Sequence, residues 1–565
     1  MKILRANVST DEVTYEKVPD DWLPYGGRAL VARFLLDEVP PTCDPLGPFN
    51  KLIWAPGLLV GHMLSSIDRI SLGGKSPLTG GVKEAIAGGT TGMRLAWLDL
   101  FALIVEGMPP LGGGWKLLYV SQSGTRFEPA DDLVGLGLHA TGQRLRERFD
   151  DKIGISAIGP AGERLQRAAG ITHIDKDRNL TRKSARGGLG AVMGAKRLKA
   201  VVFDKPRSKK PAVRDPALFE DASRRYLKAL QEHPQTSEVY TEYGTAAMVN
   251  MCNTRGGMPT RNFSSGTFEA AEAISGETIR IVNESRGGDI SHACMAGCII
   301  KCSNIYVDED GQKLVTPLEY ETIGLMGSNL GIEDPDIIAQ LNDIANDLGL
   351  DSIDVGAALG VAAEAGLMTF GDGQAALRLM EEVREGSPLG RIIANGAALA
   401  GQVLGIRRIP VVKNQAISAY DPRAIKGTGV TYATSPQGAD HTSGLTIRAQ
   451  IDHLKPEGQV DLSRTTQFKM AGYDSLGACI FGGFGLDATL TRDLVNGRYN
   501  WGVDENYLSD LGRKTIALER EFNCRAGFTA ADDRLPEWMT QEQLPPFNTV
   551  FDVGENELDA IFDDS

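Results

Sequence analysis

The chain opens on alternation. "MKILRANVSTDEVTYEKV" sets polar and apolar residues in turn, the pattern of β-strands with one face buried. Short apolar or β-branched runs follow at "KLIWAPGLLV", "IDRISLGG", "LFALIVEG", "KLLYVSQSG" and "KAVVFD", bounded by glycine and proline, and predict a β-rich region over the first two hundred residues. "KPRSKKPAVRDP" (205–216) then combines three prolines with five basic residues and no apolar periodicity, which is linker composition and places a boundary near residue 210. Beyond it the period becomes helical. Asp215-Pro216 is a helix start, followed by Leu218, Phe219, Ala222, Tyr226, Leu227 and Leu230 near helical spacing. Asp334 and Pro335 repeat the device ahead of an apolar face made by Ile337, Ile338, Leu341, Ile344 and Leu348. The C-terminal "FDVGENELDAIFDDS" carries six acids and no base and reads as a solvated tail or the rim of a partner site.

At 565 residues the chain exceeds one hydrophobic core, and roughly 150 residues per domain implies three or four domains. The division expected is 1–210, 211–410 and 411–565, an α+β protein with a β-rich first domain and two mainly helical ones. A net charge of -14 argues against a surface built to neutralise phosphate backbones, so nucleic acid is not an expected partner. The N-terminus lacks the apolar core of a signal peptide, and "VGAALGVAAEAGLM" is too short to span a bilayer, so a cytoplasmic protein without membrane insertion is expected. Seven cysteines, an odd number with three clustered, do not suit a secreted disulfide framework.

Those three stand in "HACMAGCIIKCSN" as Cys294, Cys298 and Cys302. Thiolates at this spacing suit a loop wrapped around an iron–sulfur cluster, with a structural zinc site or three buried thiols as the other readings. Of the remaining cysteines, Cys479 stands out because "DSLGACIFGGFG" surrounds it with glycine. "RISLGGKS" is no P-loop, since Arg69 takes the place of the required first glycine. "GGLGAVMG" departs from the dinucleotide fingerprint, but Arg186 and Lys196 around Gly187, Gly188 and Gly190 suit either a phosphate or a tight packing turn. "NDLGLDS" and "DSLGACI" share an Asx-x-x-Gly pattern, a helix ending at glycine and restarting at the next cap, whose exposed amides and carbonyls could pair with a ring. Glu319, Glu321 and His441 are candidates for acid–base work, though such residues taken singly are more often ordinary, satisfied surface or core residues.

Taken together, "GGRALVARFL", "GGKSPLTGGVKEAIAGGTTG", "ARGGLGAVMGAKRLKA", the cysteine cluster, "EYETIG", "NDLGLDS", "YDPRAIKGTGVTYATSPQGADH", "DSLGACIF" and "FNCRAGF" resemble the aldehyde ferredoxin oxidoreductase family in order and spacing, over nearly the whole chain. The resemblance implies a β-sandwich-like N-terminal domain cradling a tungsten (or molybdenum) bis-pyranopterin, covered by two helical domains. It implies that Cys294, Cys298, Cys302 and Cys479 ligate one 4Fe-4S cluster. The pterin turns would be Asn346, Gly349, Leu350 and Asp351, and Asp474, Gly477 and Ala478. Arg69, Arg186, Gly187 and Gly188 would meet the pterin phosphates or their Mg2+ ion. His441 matches the active-site histidine, and Glu321, in preference to Glu319, the active-site carboxylate. The sequence departs from the family pattern in its CxxxCxxxC spacing, in Ile86 where a magnesium-binding Asn is expected, and in Asn346 where Asp is common.

The implied reaction is oxidation of an aldehyde to a carboxylic acid under anaerobic conditions. Electrons would leave through the cluster to ferredoxin or a small polyferredoxin-like subunit, in a homo- or hetero-oligomer. Two other readings are the catalytic subunit of a class II benzoyl-CoA reductase and a non-catalytic iron–sulfur electron-transfer subunit that has lost its tungsten.

Overall fold

The computed structural model describes residues 1–206 and 210–563, so Arg207–Lys209 of the basic linker, and Asp564 and Ser565 of the acidic tail, lie outside the described residues. The chain forms two compact units. The first comprises Met1–Glu238, Ala293–Ile300 and Phe468–Gly527, and the second Val239–His292, Lys301–Gln467 and Phe528–Ser565.

In the first unit the early alternation becomes two six-stranded sheets. One runs, edge to edge, Glu12–Lys17, Lys2–Asn7, Leu100–Glu106, Leu52–Pro56, Ile70–Lys75, Val82–Ala87. The other runs Leu180–Ser184, Ile171–Ile174, Gly154–Ala157, Leu198–Phe203, Lys116–Ser121, Gly124–Pro129. Each has one parallel pair, Lys2–Asn7 with Leu100–Glu106 and Leu198–Phe203 with Lys116–Ser121, and is otherwise antiparallel. The period of two sorts their side chains. Leu4, Leu52, Trp54, Leu103 and Val105 of the first sheet share one core with Leu118, Val120, Val201 and Phe203 of the second. Their sequence neighbours Ile3, Ile53, Ala102 and Ile104 face the opposite way, onto the helix Gly27–Glu38 and Phe522. Leu117, Ala200 and Val202 do the same beneath the helix Leu138–Arg148. Strands buried on both faces explain why runs such as "LIWAP" read as continuous rather than alternating. The β-sandwich-like base expected from the sequence is therefore present.

The second unit is mainly helical. Asp334 caps Pro335–Leu348 by accepting from the Asp336 amide, and that helix ends at Gly349 with φ 78°. Asp351 then accepts from the Ile353 amide and starts Ser352–Glu364. The helix-to-helix turn expected at "NDLGLDS" is what forms. The other start signal, Asp215-Pro216, opens Pro216–Glu232 in the first unit, with Asp215 accepting from the Leu218 amide. The C-terminal segment is not a solvated tail. Phe551, Val553, Leu558, Ile561 and Phe562 are buried, and the acids between them sit on the outer face, with Asp559 paired to Arg534. Acid content hid an apolar pattern strong enough to dock the segment. Among the described residues no helix is long and apolar enough to cross a membrane.

Candidate active site

The second unit brings two of the acid–base candidates together. Glu321 lies in the first turn of the helix Tyr320–Met326, and His441 opens a short 3-10 turn capped by Asp440, whose side chain accepts from the Thr442 amide. His441 Nε2 stands 3.3 Å from Glu321 Oε1, each side chain 17% exposed. Both partners are held from behind. Ser418 Oγ lies 3.0 Å from His441 Nδ1, and Glu321 Oε2 accepts from the Ala419 amide at 2.9 Å. Tyr420 packs its ring 5.7 Å from the imidazole, and Tyr320 donates its hydroxyl to the Ala419 carbonyl at 2.6 Å. Burial, then the charge of Glu321, lifts the Tyr420 phenol well above its ordinary value, so it stays protonated and able to donate to Glu321. Glu319 instead occupies the N-cap position of the same helix. Ser418 and Tyr420 follow no spacing rule, and the one available signal was that "YDPRAIKG" begins at Tyr420.

The first turn belongs to this unit as well. The Gly349 amide donates to Asn346 and the Leu350 amide to Ala345, while Asn346, Leu350 and Asp351 are all buried. Ser352 Oγ meets Thr322 Oγ1 at 2.9 Å, which ties the turn to the helix that carries Glu321. Cys302, partly exposed, falls in this unit.

The second turn lies in the first unit, where it is clasped by backbone. Leu58 and Leu59 amides donate to the Ser475 and Leu476 carbonyls, and the Arg69 amide donates to Gly477 at 3.2 Å. A Cβ on Gly57 would stand 2.0 Å from the Gly477 nitrogen, so this contact admits only glycine. Asp474 is held by Arg28 Nη1 at 3.3 Å, and Arg28 also grips both carboxylate oxygens of Glu519, at 2.8 and 2.9 Å. Beside them, burial followed by the charge of Asp474 pushes Glu84 up to about 8.

Arg186, Gly187 and Gly188 lie together in the same unit, with both glycines left-handed and Ser76 Oγ donating to the Gly187 carbonyl at 2.7 Å. Lys83, Arg182 and Arg186 are all buried, an unusual concentration of inward-facing cation. Cys294, Cys298 and Cys479 also fall here. Cys479 donates its amide to the Ser66 carbonyl at 2.8 Å, Cys298 Sγ lies 3.4 Å from Ser66 Oγ, and the Cys294 carbonyl accepts from Gly89 at 3.2 Å. Desolvation pushes the Cys294 thiol up to about 11 against the pull of Arg182 and Arg69. Among the described residues no three His, Cys, Asp or Glu side chains are drawn together tightly enough for a single metal ion. A four-iron cluster spreads its thiolates wider than one ion does. The residue types fit an anionic pterin and thiolate-bound iron: buried cations suit phosphate, and the cysteines are free of disulfides.

The model of the aldehyde ferredoxin oxidoreductase N-terminal domain matches residues 3–205, and that of domains 2 and 3 matches residues 221–561. The chain belongs to the aldehyde ferredoxin oxidoreductase family and is an oxidoreductase. It is 33% identical to the tungsten-containing aldehyde ferredoxin oxidoreductase of Pyrococcus abyssi, over 96% of this chain and 92% of that one. The corresponding protein of Thermococcus kodakarensis is 32% identical over the same shares. A Pyrococcus furiosus protein described as the WOR-like subunit of an aliphatic sulfonate oxidoreductase is 27% identical over 92% of this chain and 85% of its own. In fold the chain is similar to the BamBC active-site complex of benzoyl coenzyme A reductase with 1,5-dienoyl-CoA, at TM-score 0.81 and 20% identity, covering 99% of this chain and 93% of that one.

Proposed function

We propose that the protein oxidises aldehydes to carboxylic acids with a tungsten bis-pyranopterin and a 4Fe-4S cluster. The observation that carries this reading is the His441–Glu321 pair at 3.3 Å, braced by Ser418, Ala419 and Tyr420. The reaction converts an aldehyde and a water into an acid, two electrons and two protons. When bound, the tungsten pterin supplies a two-electron acceptor, and the cluster passes electrons singly to ferredoxin or a small iron–sulfur subunit. The pterin would be held by Asn346, Gly349, Leu350 and Asp351 and by Asp474, Gly477 and Ala478. Arg69, Arg186, Gly187 and Gly188 would meet its phosphates, and Cys294, Cys298, Cys302 and Cys479 would hold the iron.

The chain's own residues handle the protons. With Nδ1–H donating to Ser418 Oγ, Nε2 is the unprotonated nitrogen; it lies 3.3 Å from Glu321 Oε1, where it can orient the carbonyl or a water and take a proton from that water. Glu321 then holds that proton beside the ring, and the protonated Tyr420 phenol steadies the carboxylate between turnovers.

The test is elemental analysis of anoxically purified protein followed by viologen assays. About four iron and one tungsten per chain, with aldehyde-dependent viologen reduction, is the expected result. Oxidation of reduced viologen by benzoyl-CoA without aldehyde activity would replace the reading with a ring reductase. Iron without tungsten or molybdenum would replace it with an electron-transfer subunit.

A further inference from the structure

The dipeptide Ser65–Ser66 touches two of the proposed cluster ligands without being one. Ser66 is 1% exposed and takes φ 62°, a left-handed conformation that an L residue keeps only where its surroundings enforce it. Three contacts do so. The Ser66 carbonyl accepts from the Cys479 amide at 2.8 Å, Ser65 Oγ accepts from the Ile299 amide at 3.1 Å, and buried Tyr226 donates its hydroxyl to the Ser65 carbonyl at 2.8 Å. In that conformation the Ser66 hydroxyl is brought to 3.4 Å from Cys298 Sγ. A cysteine that ligates iron has lost its proton, so in this pair the serine must donate.

We infer that Ser66 is a positioning residue that sets the potential of the cluster by donating its hydroxyl to the Cys298 thiolate. The inference rests on the reading that Cys294, Cys298, Cys302 and Cys479 hold that cluster. Hydrogen bonds to ligand sulfur favour the more negative, reduced state and so raise the potential. Burial sharpens the effect, because no water is on hand to replace a lost donor.

The experiment is an anoxic redox titration of the full chain followed by EPR, with iron determined in parallel, for wild type, Ser66→Ala and Ser66→Gly. Glycine adopts the left-handed conformation freely, so it removes the hydroxyl and relieves the backbone at once. Both variants are expected to keep the wild-type iron content. At fixed applied potential their reduced-to-oxidised ratio should fall about tenfold, ~59 mV for one electron. Full iron with an unchanged potential in Ser66→Gly would overturn the role of Ser66 alone. Wild-type protein without cysteine-bound iron would overturn the ligand assignment, and the role of Ser66 with it.

Discussion

The pairing of His441 with Glu321 is a result of folding that no local pattern announces. The resemblance favours Glu321 over Glu319, and helical geometry separates the two: Glu319 occupies the N-cap, and Glu321 turns its carboxylate to the imidazole. Ser418 and Tyr420 carry no spacing signal in the sequence, because a residue that braces a side chain needs only a position in space. His441→Ala should lower the rate of aldehyde oxidation by about 100-fold or more while tungsten and iron contents stay at wild-type values; normal turnover would remove the histidine from the chemistry. Tyr420→Phe should be milder, about a tenfold loss in kcat at unchanged KM, the low end of the roughly 1.5–3 kcal/mol that a hydrogen bond to a charged group contributes. Steady-state kinetics of the two variants side by side would rank them.

Among elements, caps and turns were the most legible, because Asp-Pro starts and a left-handed glycine stop act within a few residues. Strands were legible from their apolar runs, but the polar set closed between them was not. His173, wholly buried on strand Ile171–Ile174, has Ser156 Oγ at 2.8 Å and Thr91 Oγ1 at 3.3 Å from Nδ1, and Ser184 Oγ at 3.0 Å from Nε2. A neutral ring suits this hydroxyl cage, and burial lowers the imidazole to about 3 from 6.5. The unfolded chain gains a proton there below pH 6.5 and the folded one does not, so stability is lost as pH falls from 6.5 toward 3. Glu84, raised from 4.5 to about 8, slopes the other way over the part of that interval above 4.5. The histidine is therefore best read as a difference. His173→Gln should unfold at a lower temperature than wild type at pH 7, and the gap should narrow steadily by pH 4. A gap independent of pH would contradict the caged neutral ring.

At the scale of the molecule, the α+β character and the sheeted base could be read from the change of period near residue 210, while the path of the chain could not. Residues 293–300 and 468–527 join the first unit across long stretches of the second, through contacts that leave no trace in any short window of sequence. This return has a consequence for biosynthesis. Phe522 completes the core under the helix Gly27–Glu38, and Glu519 supplies the carboxylate that buried Arg28 grips. At 5–20 residues per second, a ribosome needs ~10–50 s to make the stretch that separates residue 238 from the returning segment. Throughout that interval the nascent base has an unclosed apolar face and a guanidinium without its partner. Expressed alone, residues 1–205 should accumulate in the insoluble fraction, and co-expression of the remaining chain should recover them; soluble, cooperatively unfolding 1–205 would show that closure is not needed. A first unit closed by residues 468–527 in this way waits, half made, for that segment to emerge, and its dependence on chaperones should be greatest during that wait.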